Sequence, residues 1–445
     1  MGASLTRTAG TPTSKKKFTF SFWYKKTTVR DYGASTSDGC FFNSAVSNDN
    51  RLTFMINQEN SPYDQVRLVG RNSGSQILDL RTNAQLRDPG AWYHIVAKVD
   101  TTQNTNTDRA KLYINGTEQT LDTSSYPNQD VELQIQHNPY LLSYSGSGNY
   151  VEGLITHYHY TDGYAYDAST FGSTDATTGQ WKINTSPSVT YGTNGFFLFK
   201  DNAAVTDQSG NSNNFTLSGT LTPTEDNPSN NFCTFNALLP QSNTGLSKGN
   251  TRFETTSGSG WKAMCGTLGM AKNSGKYYME FKHLGGSYNG YGIADSKSSG
   301  IVDQINKSES TYPGEAANSY GYLSQGELHY NASQTGTGWD SYTTNDIIGM
   351  AVDMDNMKLY YHKNGTYLQS ANPSTGTNGY SINDPVGAYF PTATVNAGIM
   401  CANFGNGNFD GTAISSEGSN ASGIGKFEYD VPTGYTALST KGLNE

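Results

Sequence analysis

Residues 348–368 read IGMAVDMDNMKLYYHKNGTYL. Ile348, Met350, Val352 and Met354 alternate with smaller or polar residues, the period of two that marks a strand with one face on a core. Asp355 and Asn356 supply a turn, and residues 358–362 alternate again. Asn364 and Gly365 then suit a tight hairpin whose two central residues both need positive φ. Two hairpins in series, with no helical periodicity, make this stretch a piece of antiparallel sheet. A shorter version occurs earlier, where WYHIVAKVD (92–100) leads to KLYINGTEQ (111–119). The chain therefore builds similar sheet machinery twice.

At 445 residues the chain is long enough for two β modules of roughly 150–230 residues each. Only 34% of residues are hydrophobic, yet 30 are Tyr and 19 are Phe. Disordered chains lack such aromatics, so the mixture points to an all-β protein with aromatic cores and long polar loops. A net charge of −9 disfavours a nucleic-acid binder. The one basic cluster, Lys15, Lys16 and Lys17, reads as a solvated lead into a strand. Cys40, Cys233, Cys265 and Cys401 are too scattered for a zinc or redox site and read as free, mostly buried thiols. The first residues do not resemble a signal peptide, and no apolar run approaches about 18 residues, so no membrane insertion is expected.

The first module opens with FTFSFWYK (18–25), which places Phe18, Phe20, Phe22 and Tyr24 on one face. Short strands follow at 51–57 and 65–69. Residues 92–99 carry Tyr93, Ile95, Ala97 and Val99 inward, and further strands run over 111–114 and 150–160. Together these segments resemble a laminin G-like, concanavalin-type jelly roll over residues 4–170, which implies two packed antiparallel sheets. GFFLF (195–199) and DQSGNSNNF (207–215) would open such a domain in the usual order, but here they follow its closing strand. A circularly permuted sandwich, completed from its C-terminal side by residues 196–199 and 215–221, accounts for that order.

Residues 223–249, rich in Pro, Asn and Ser, read as a linker. GKYYMEFK (275–282), YGIADS (291–296), YGYL (320–323), the 348–368 stretch, VGAY (386–389) and ANFG (402–405) then resemble a SPRY domain over about 250–410. Met357 stands where that family usually has Gly in its turn. The tail KFEYDVPTGYTAL (426–438) reads as an ordered arm. The expected layout is thus a first sandwich over 1–222, a linker over 223–249, a second sandwich over 250–412 and an arm over 413–445. This succession, with NNFCTFNAL (230–238) between the modules, resembles structural proteins of tailed bacteriophages, marine podoviruses in particular. The resemblance implies a fibre, appendage or capsid-surface role in the virion, assembled in the host cytoplasm, with other virion proteins as partners and a homo-oligomeric state.

Concanavalin-type folds include glucanases, and retaining glycosidases need two carboxylates about 5–5.5 Å apart. No E-x-D-x-E strand exists here; Asp353 and Asp355 are the nearest pair and fall at a strand end, where a turn role is the simpler reading. His157 and His159 would share a strand face as a metal pair, against the alternative of two polar outward positions. No nucleophile elbow or phosphate-cradling loop is present. Asp207, Asn211 and Asn213 offer oxygens at alternate positions, as calcium loops do, although Asx residues are also ordinary turn formers. Tyr288, Tyr291, Tyr312, Tyr320, Trp339 and Tyr342 lie in or beside the loops that gather over the binding surface of the resembled SPRY fold, while Trp339 and Tyr291 also suit a core. The reading is a non-enzymatic virion surface protein, a decoration, knob or appendage, whose lectin-like loops hold host-surface polysaccharide. The alternatives are a tail-fibre receptor-binding tip, a polysaccharide-cleaving glucanase-like enzyme, and a SPRY adaptor for short peptides.

Overall fold

A computed structural model describes residues 2–27, 39–57, 61–201, 203–239, 243–258, 260–286, 288–297, 311–336 and 338–444. Its regular structure is β-strand with a few single 3₁₀ turns, and the chain divides into units spanning 1–221 and 222–445. Each unit is a β-sandwich of two sheets. Among the described residues no helix is long and apolar enough to cross a membrane.

In the first unit, one sheet runs in the order Phe196–Leu198, Gly153–Asp162, Lys17–Lys26, Trp92–Asp100, Ala110–Ile114, Thr117–Glu118. The facing eight-stranded sheet begins at Leu121–Ser125 and ends at Ser4–Thr6 and Thr216–Ser218. Between the sheets Phe20 packs 4.6 Å from Phe42, and Phe22 lies 4.8 Å from Tyr158. Phe18, Phe20, Phe22 and Tyr24 do point inward, together with Ile95, Ala97 and Val99. Phe196–Leu198 pairs with Gly153–Asp162, and Thr216–Ser218 pairs with Ser4–Thr6. The late segment therefore completes the first sandwich at both ends. Arg7 ties it to the N-terminus by donating to Asn213 Oδ1 (3.0 Å) and to the Asn194 carbonyl (2.8 Å).

In the second unit, a sheet runs Thr244–Ser247, Arg252–Thr255, Ile399–Asn403, Lys276–Gly285, Ile347–Asp353, Lys358–Lys363, Thr366–Tyr367. It faces a six-stranded sheet ordered Trp261–Cys265, Tyr389–Asn396, Tyr288–Asp295, Ser319–Leu323, Glu327–Tyr330, Ser333–Gly336. Ile348, Met350, Val352 and Met354 are buried between them, and Lys363 pairs with Thr366 across Asn364 (φ 49°) and Gly365 (φ 85°).

Two expectations are corrected. Residues 223–249 are no linker. Phe232, Cys233 and Phe235 are buried in the second unit, where Phe232 bridges Ser439 and Phe235 bridges Gly266. Three closely spaced apolar side chains would be stranded in a solvated connector, so the sandwich takes them in. The central strands are also not half-buried: every residue of Ile347–Asp353 is buried. The alternation marks the core face correctly, but the opposite face is covered as well. The C-terminal arm lays Ile424, Phe427, Val431 and Tyr435 over Tyr278, Ala351 and Tyr360. In the first unit residues 163–191 cover the outer face of the Lys17–Lys26 strand in the same way, with Thr19 donating to the Tyr164 carbonyl and Trp181 stacked over His94.

Candidate functional site

Among the six aromatic candidates, the structure separates core from surface. Tyr291 is fully buried and stacks on Phe281 at 4.9 Å with 6° between the rings. Tyr342 is buried and donates from its hydroxyl to the carbonyls of Asn289 (2.9 Å) and Tyr322 (3.1 Å). Tyr320 is buried, stacks on Tyr330 at 4.7 Å, and accepts from the Asn383 N–H. Trp339 is partly buried against Tyr322 and Tyr361. These four are packing residues: each flat ring fills space between the sheets, and the three tyrosine hydroxyls find hydrogen-bond partners. Tyr288 and Tyr312 are different.

Tyr288 is 41% exposed. It and Trp261 both pair with Asn396, so the strand carrying Asn396 separates the two. Their rings close over that strand at 5.8 Å and 28°. Tyr312 packs against Trp261 at 5.4 Å, held there as Thr311 N–H donates to the Trp261 carbonyl. His329 meets Tyr312 edge-on at 5.5 Å and bonds through Nε2 to Glu327 at 3.0 Å. Glu315 accepts from the Tyr312 N–H at 3.3 Å. Burial first, then Glu315 and Glu327, push the Tyr312 hydroxyl above its ordinary value. The outcome is an aromatic platform of Trp261, Tyr288 and Tyr312, bordered by two carboxylates and the amide of Asn396. Trp261 was absent from the sequence expectation. It opens an edge strand, WKAMC, with no alternation to announce it; only its shared partner Asn396 links it to Tyr288.

The other candidates resolve into structure. Asp207 is buried; its Oδ1 accepts from the N–H groups of Phe197 and Ser209, and its Oδ2 from the Ser209 hydroxyl and the Asn213 N–H, all at 2.8–2.9 Å. Asn211 and Asn213 donate to the carbonyls of Gly192, Thr193 and Gly195, and Arg7 occupies Asn213 Oδ1. A donor set occupied by N–H groups and a guanidinium does not fit calcium, which needs free oxygens. The loop is an Asx turn closing the sandwich.

His157 and His159 are neither a metal pair nor outward polar positions. The pairing with Lys17–Lys26 shifts register between Thr156 and His159, and His157 takes φ 49°, so the bulge re-aims both rings. His159 is buried face-to-face on Phe197 at 3.9 Å and bonds to Tyr191 through Nδ1 at 2.9 Å. Burial lowers both histidines, His157 to about 4. No group of three His, Cys, Asp or Glu able to hold a metal exists among the described residues. Asp353 bonds Lys276 at 2.9 Å and accepts from the Asn356 N–H and amide, which is a turn cap.

One Ser–His contact escaped the sequence. Ser21 Oγ lies 2.9 Å from His94 Nε2, both buried. Trp181 Nε1–H donates to His94 Nδ1 at 3.0 Å, which fixes the ring proton on Nε2. That nitrogen therefore donates to Ser21 and has no lone pair with which to take its proton. Burial drops His94 to about 3. The contact is structural.

Comparison with known proteins agrees with the two sandwiches. Residues 2–168 match the family model for the concanavalin A-like lectin/glucanases superfamily, and residues 299–407 match that for the SPRY domain. Both are domain types typical of binding and adhesion modules. A human SPRY domain is 15% identical, covering 36% of this chain and 94% of that one, with a TM-score of 0.28. Stonustoxin is 16% identical, covering 38% of this chain and 27% of its own, with a TM-score of 0.29. The dual specificity protein kinase splA of Dictyostelium discoideum is 33% identical over 57 residues, 13% of this chain. The chain spans about 2% of the length of that curated relative.

Proposed function

We propose that this chain is a non-enzymatic surface protein of a tailed-phage particle that holds host-surface polysaccharide on the Trp261–Tyr288–Tyr312 platform. The observation carrying the binding site is the arrangement of those rings: a stacked pair spanning Asn396, Tyr288 exposed and Trp261 partly buried, with Glu315 and Glu327 at its border. Aromatic faces pack against the C–H faces of sugar rings, and carboxylates with an amide take hydroxyls. The two domain matches support a binding module, and the virion assignment rests on the sequence resemblance to phage structural proteins. Against catalysis as the alternative, the Asp353 carboxylate and the His94 ring are both committed to structural hydrogen bonds.

The test is titration of host polysaccharide fragments against the whole chain, followed by tryptophan fluorescence. Trp261→Ala and Tyr288→Ala should each weaken binding about tenfold, which is ~1.4 kcal/mol, with unchanged melting. Binding that survives both substitutions removes the platform from the reading, and release of reducing ends favours the glucanase alternative. Immunogold labelling of purified particles checks the virion assignment separately.

A further inference from the structure

We propose that Glu280 makes docking of the C-terminal arm proton-linked, so that the arm is held most firmly in acid and loosens as pH rises to neutrality. Glu280 lies on Lys276–Gly285 on the face opposite Met279 and Phe281, and alternation alone would give it to solvent. It is instead 0% exposed, because residues 426–429 of the arm cross above it.

All four of its hydrogen-bond partners are donors. Oε1 accepts from the Tyr429 N–H (2.9 Å) and the Tyr278 hydroxyl (3.0 Å), and Oε2 from the Glu428 N–H (3.0 Å) and the Asn403 amide (3.2 Å). Two of those donors belong to the arm's backbone. Asn403 extends the hold by donating also to the Lys426 carbonyl at 2.8 Å.

Behind Tyr278 the chain of bonds continues. Gly365 N–H donates to His362 Nδ1 at 3.1 Å, leaving the ring proton on Nε2, which donates to the Tyr278 hydroxyl at 2.6 Å. Every donor in the row from His362 through Tyr278 thus aims toward the carboxylate. Gly349, opposite Glu280 in register, makes room for that row, since a Cβ there would lie 1.9 Å from His362 Nε2.

No lysine, arginine or protonated histidine forms an ion pair with Glu280 among the described residues. The titratable groups facing it are Tyr278 on its own strand, His362 on the Lys358–Lys363 strand, Tyr367 beyond it and Tyr429 on the arm. All four are neutral from pH 5 to 9: the tyrosines are raised by burial and His362 is lowered to about 4. A buried carboxylate without a counter-charge keeps its desolvation penalty, which its hydrogen bonds offset only in part. Burial pushes Glu280 up from 4.5 to about 7. The docked state therefore binds a proton that the open state, with Glu280 in water, has lost. The docking stability it contributes is fully present below the open-state value, is lost as pH rises from there to about 7, and is level above it.

Hydrogen exchange of the full chain, read at the arm amides of residues 424–431 and corrected for intrinsic rates, tests this. The opening constant of the arm should rise about tenfold from pH 6 to pH 8. Glu280→Gln should open the arm more at both pH values, with the pH slope gone, because its amide N–H₂ meets donors. Tyr278→Phe and His362→Gln should keep the slope, since both leave the carboxyl in place. A flat wild-type profile overturns the proposal. So does a slope that persists in Glu280→Gln or vanishes in His362→Gln.

Discussion

The two units cover the outer face of a sheet in the same manner and fasten the cover by different chemistry. In each, an Asn-Gly hairpin has both central residues at positive φ: Asn115 and Gly116 in the first, Asn364 and Gly365 in the second. In each, the Asn side chain accepts from a neighbouring strand, from His94 N–H and Ile347 N–H respectively, both at 2.8 Å. In each, a ring from the covering segment sits on the hairpin glycine, Trp181 in one and Tyr429 in the other. Beneath the cover lies a buried neutral histidine protonated on Nε2, His94 or His362. The difference is where the hydrogen-bond row ends. The His94 row stops at the Ser21 hydroxyl, whereas the His362 row runs through Tyr278 to the buried carboxyl of Glu280. The same geometric solution thus stores neutral groups in one unit and an isolated acid in the other.

That contrast gives the largest expected effect, unequal responses to acid. His94 is held at about 3 by burial, well below its usual 6.5. The unfolded chain therefore binds a proton that the folded first unit refuses, and the stability is present above 6.5 and lost as pH falls toward 3. From pH 7 to pH 4 this amounts to ~3 kcal/mol from His94 alone, with His157 and His159 adding to it. Between pH 7 and 4.5 the Glu280 linkage moves the second unit the other way. Melting followed at pH 8, 6 and 4.5 should show the first unit's transition falling. The second unit's transition should stay nearly level over the same span, because the stability His362 loses below 6.5, with its ring held at about 4, offsets what Glu280 gains. Parallel movement of both transitions would break the comparison. His94→Gln, which cannot be protonated, should lessen the first unit's fall and leave the share of His157 and His159.

A medium effect is expected at the shared hairpin glycines. A Cβ on Gly116 would lie 2.4 Å from the Trp181 ring, and one on Gly365 would lie 2.7 Å from Tyr429. Each also stands in the left-handed region, at φ 78° and 85°. Gly116→Ala and Gly365→Ala should each cost ~2 kcal/mol, about half from backbone strain and half from displacing the ring. Urea unfolding measures the loss. Accessibility distinguishes the parts, because only Gly116→Ala should expose Trp181 to acrylamide quenching. Equal quenching in both variants would mean the rings do not depend on their glycines.

Much of this architecture was legible in the residues, and the failures share a cause. Alternation found the inward faces of 18–24 and 348–354 because a period of two reports one buried face directly. The Asn-Gly pairs found both hairpins because few other dipeptides accept two positive φ values. Covering segments leave no such mark. Residues 163–191 and 413–445 hold strands of only two or three residues, so nothing periodic says that Trp181, Phe427 or Tyr435 comes to rest on an outer sheet face. Glu280 and His159 were consequently unreadable as buried groups, and His157 was misplaced by a bulge that only the register of the partner strand shows. Tyrosine was ambiguous for another reason: its ring suits a core and its hydroxyl a surface. Tyr291, Tyr320 and Tyr342 went inside because backbone and amide groups were there to meet their hydroxyls, while Tyr288 had open space beside Trp261.

The smallest expected effect lies in the turn before the second unit's hairpin. Met357, where the resembled SPRY pattern has Gly, takes φ 53°. An L-residue in that region carries about 1 kcal/mol of strain, which Gly would remove. Met357 is held nonetheless: its carbonyl accepts from the Ile382 N–H at 3.0 Å, and its side chain packs partly buried on the core. Met357→Gly relieves the strain and loses that packing, while gaining freedom in the unfolded chain. The net change in urea unfolding should fall within about 1 kcal/mol of zero. A loss of several would show that the methionine is a core residue first and a turn residue second. The first unit's hairpin has no counterpart to it, since the loop before Ala110–Ile114 is closed by Asn106–Asp108 in a 3₁₀ turn without positive φ. Met357→Gly, set beside Gly116→Ala and Gly365→Ala, therefore separates what the two units share, the glycine under a ring, from what only one of them tolerates.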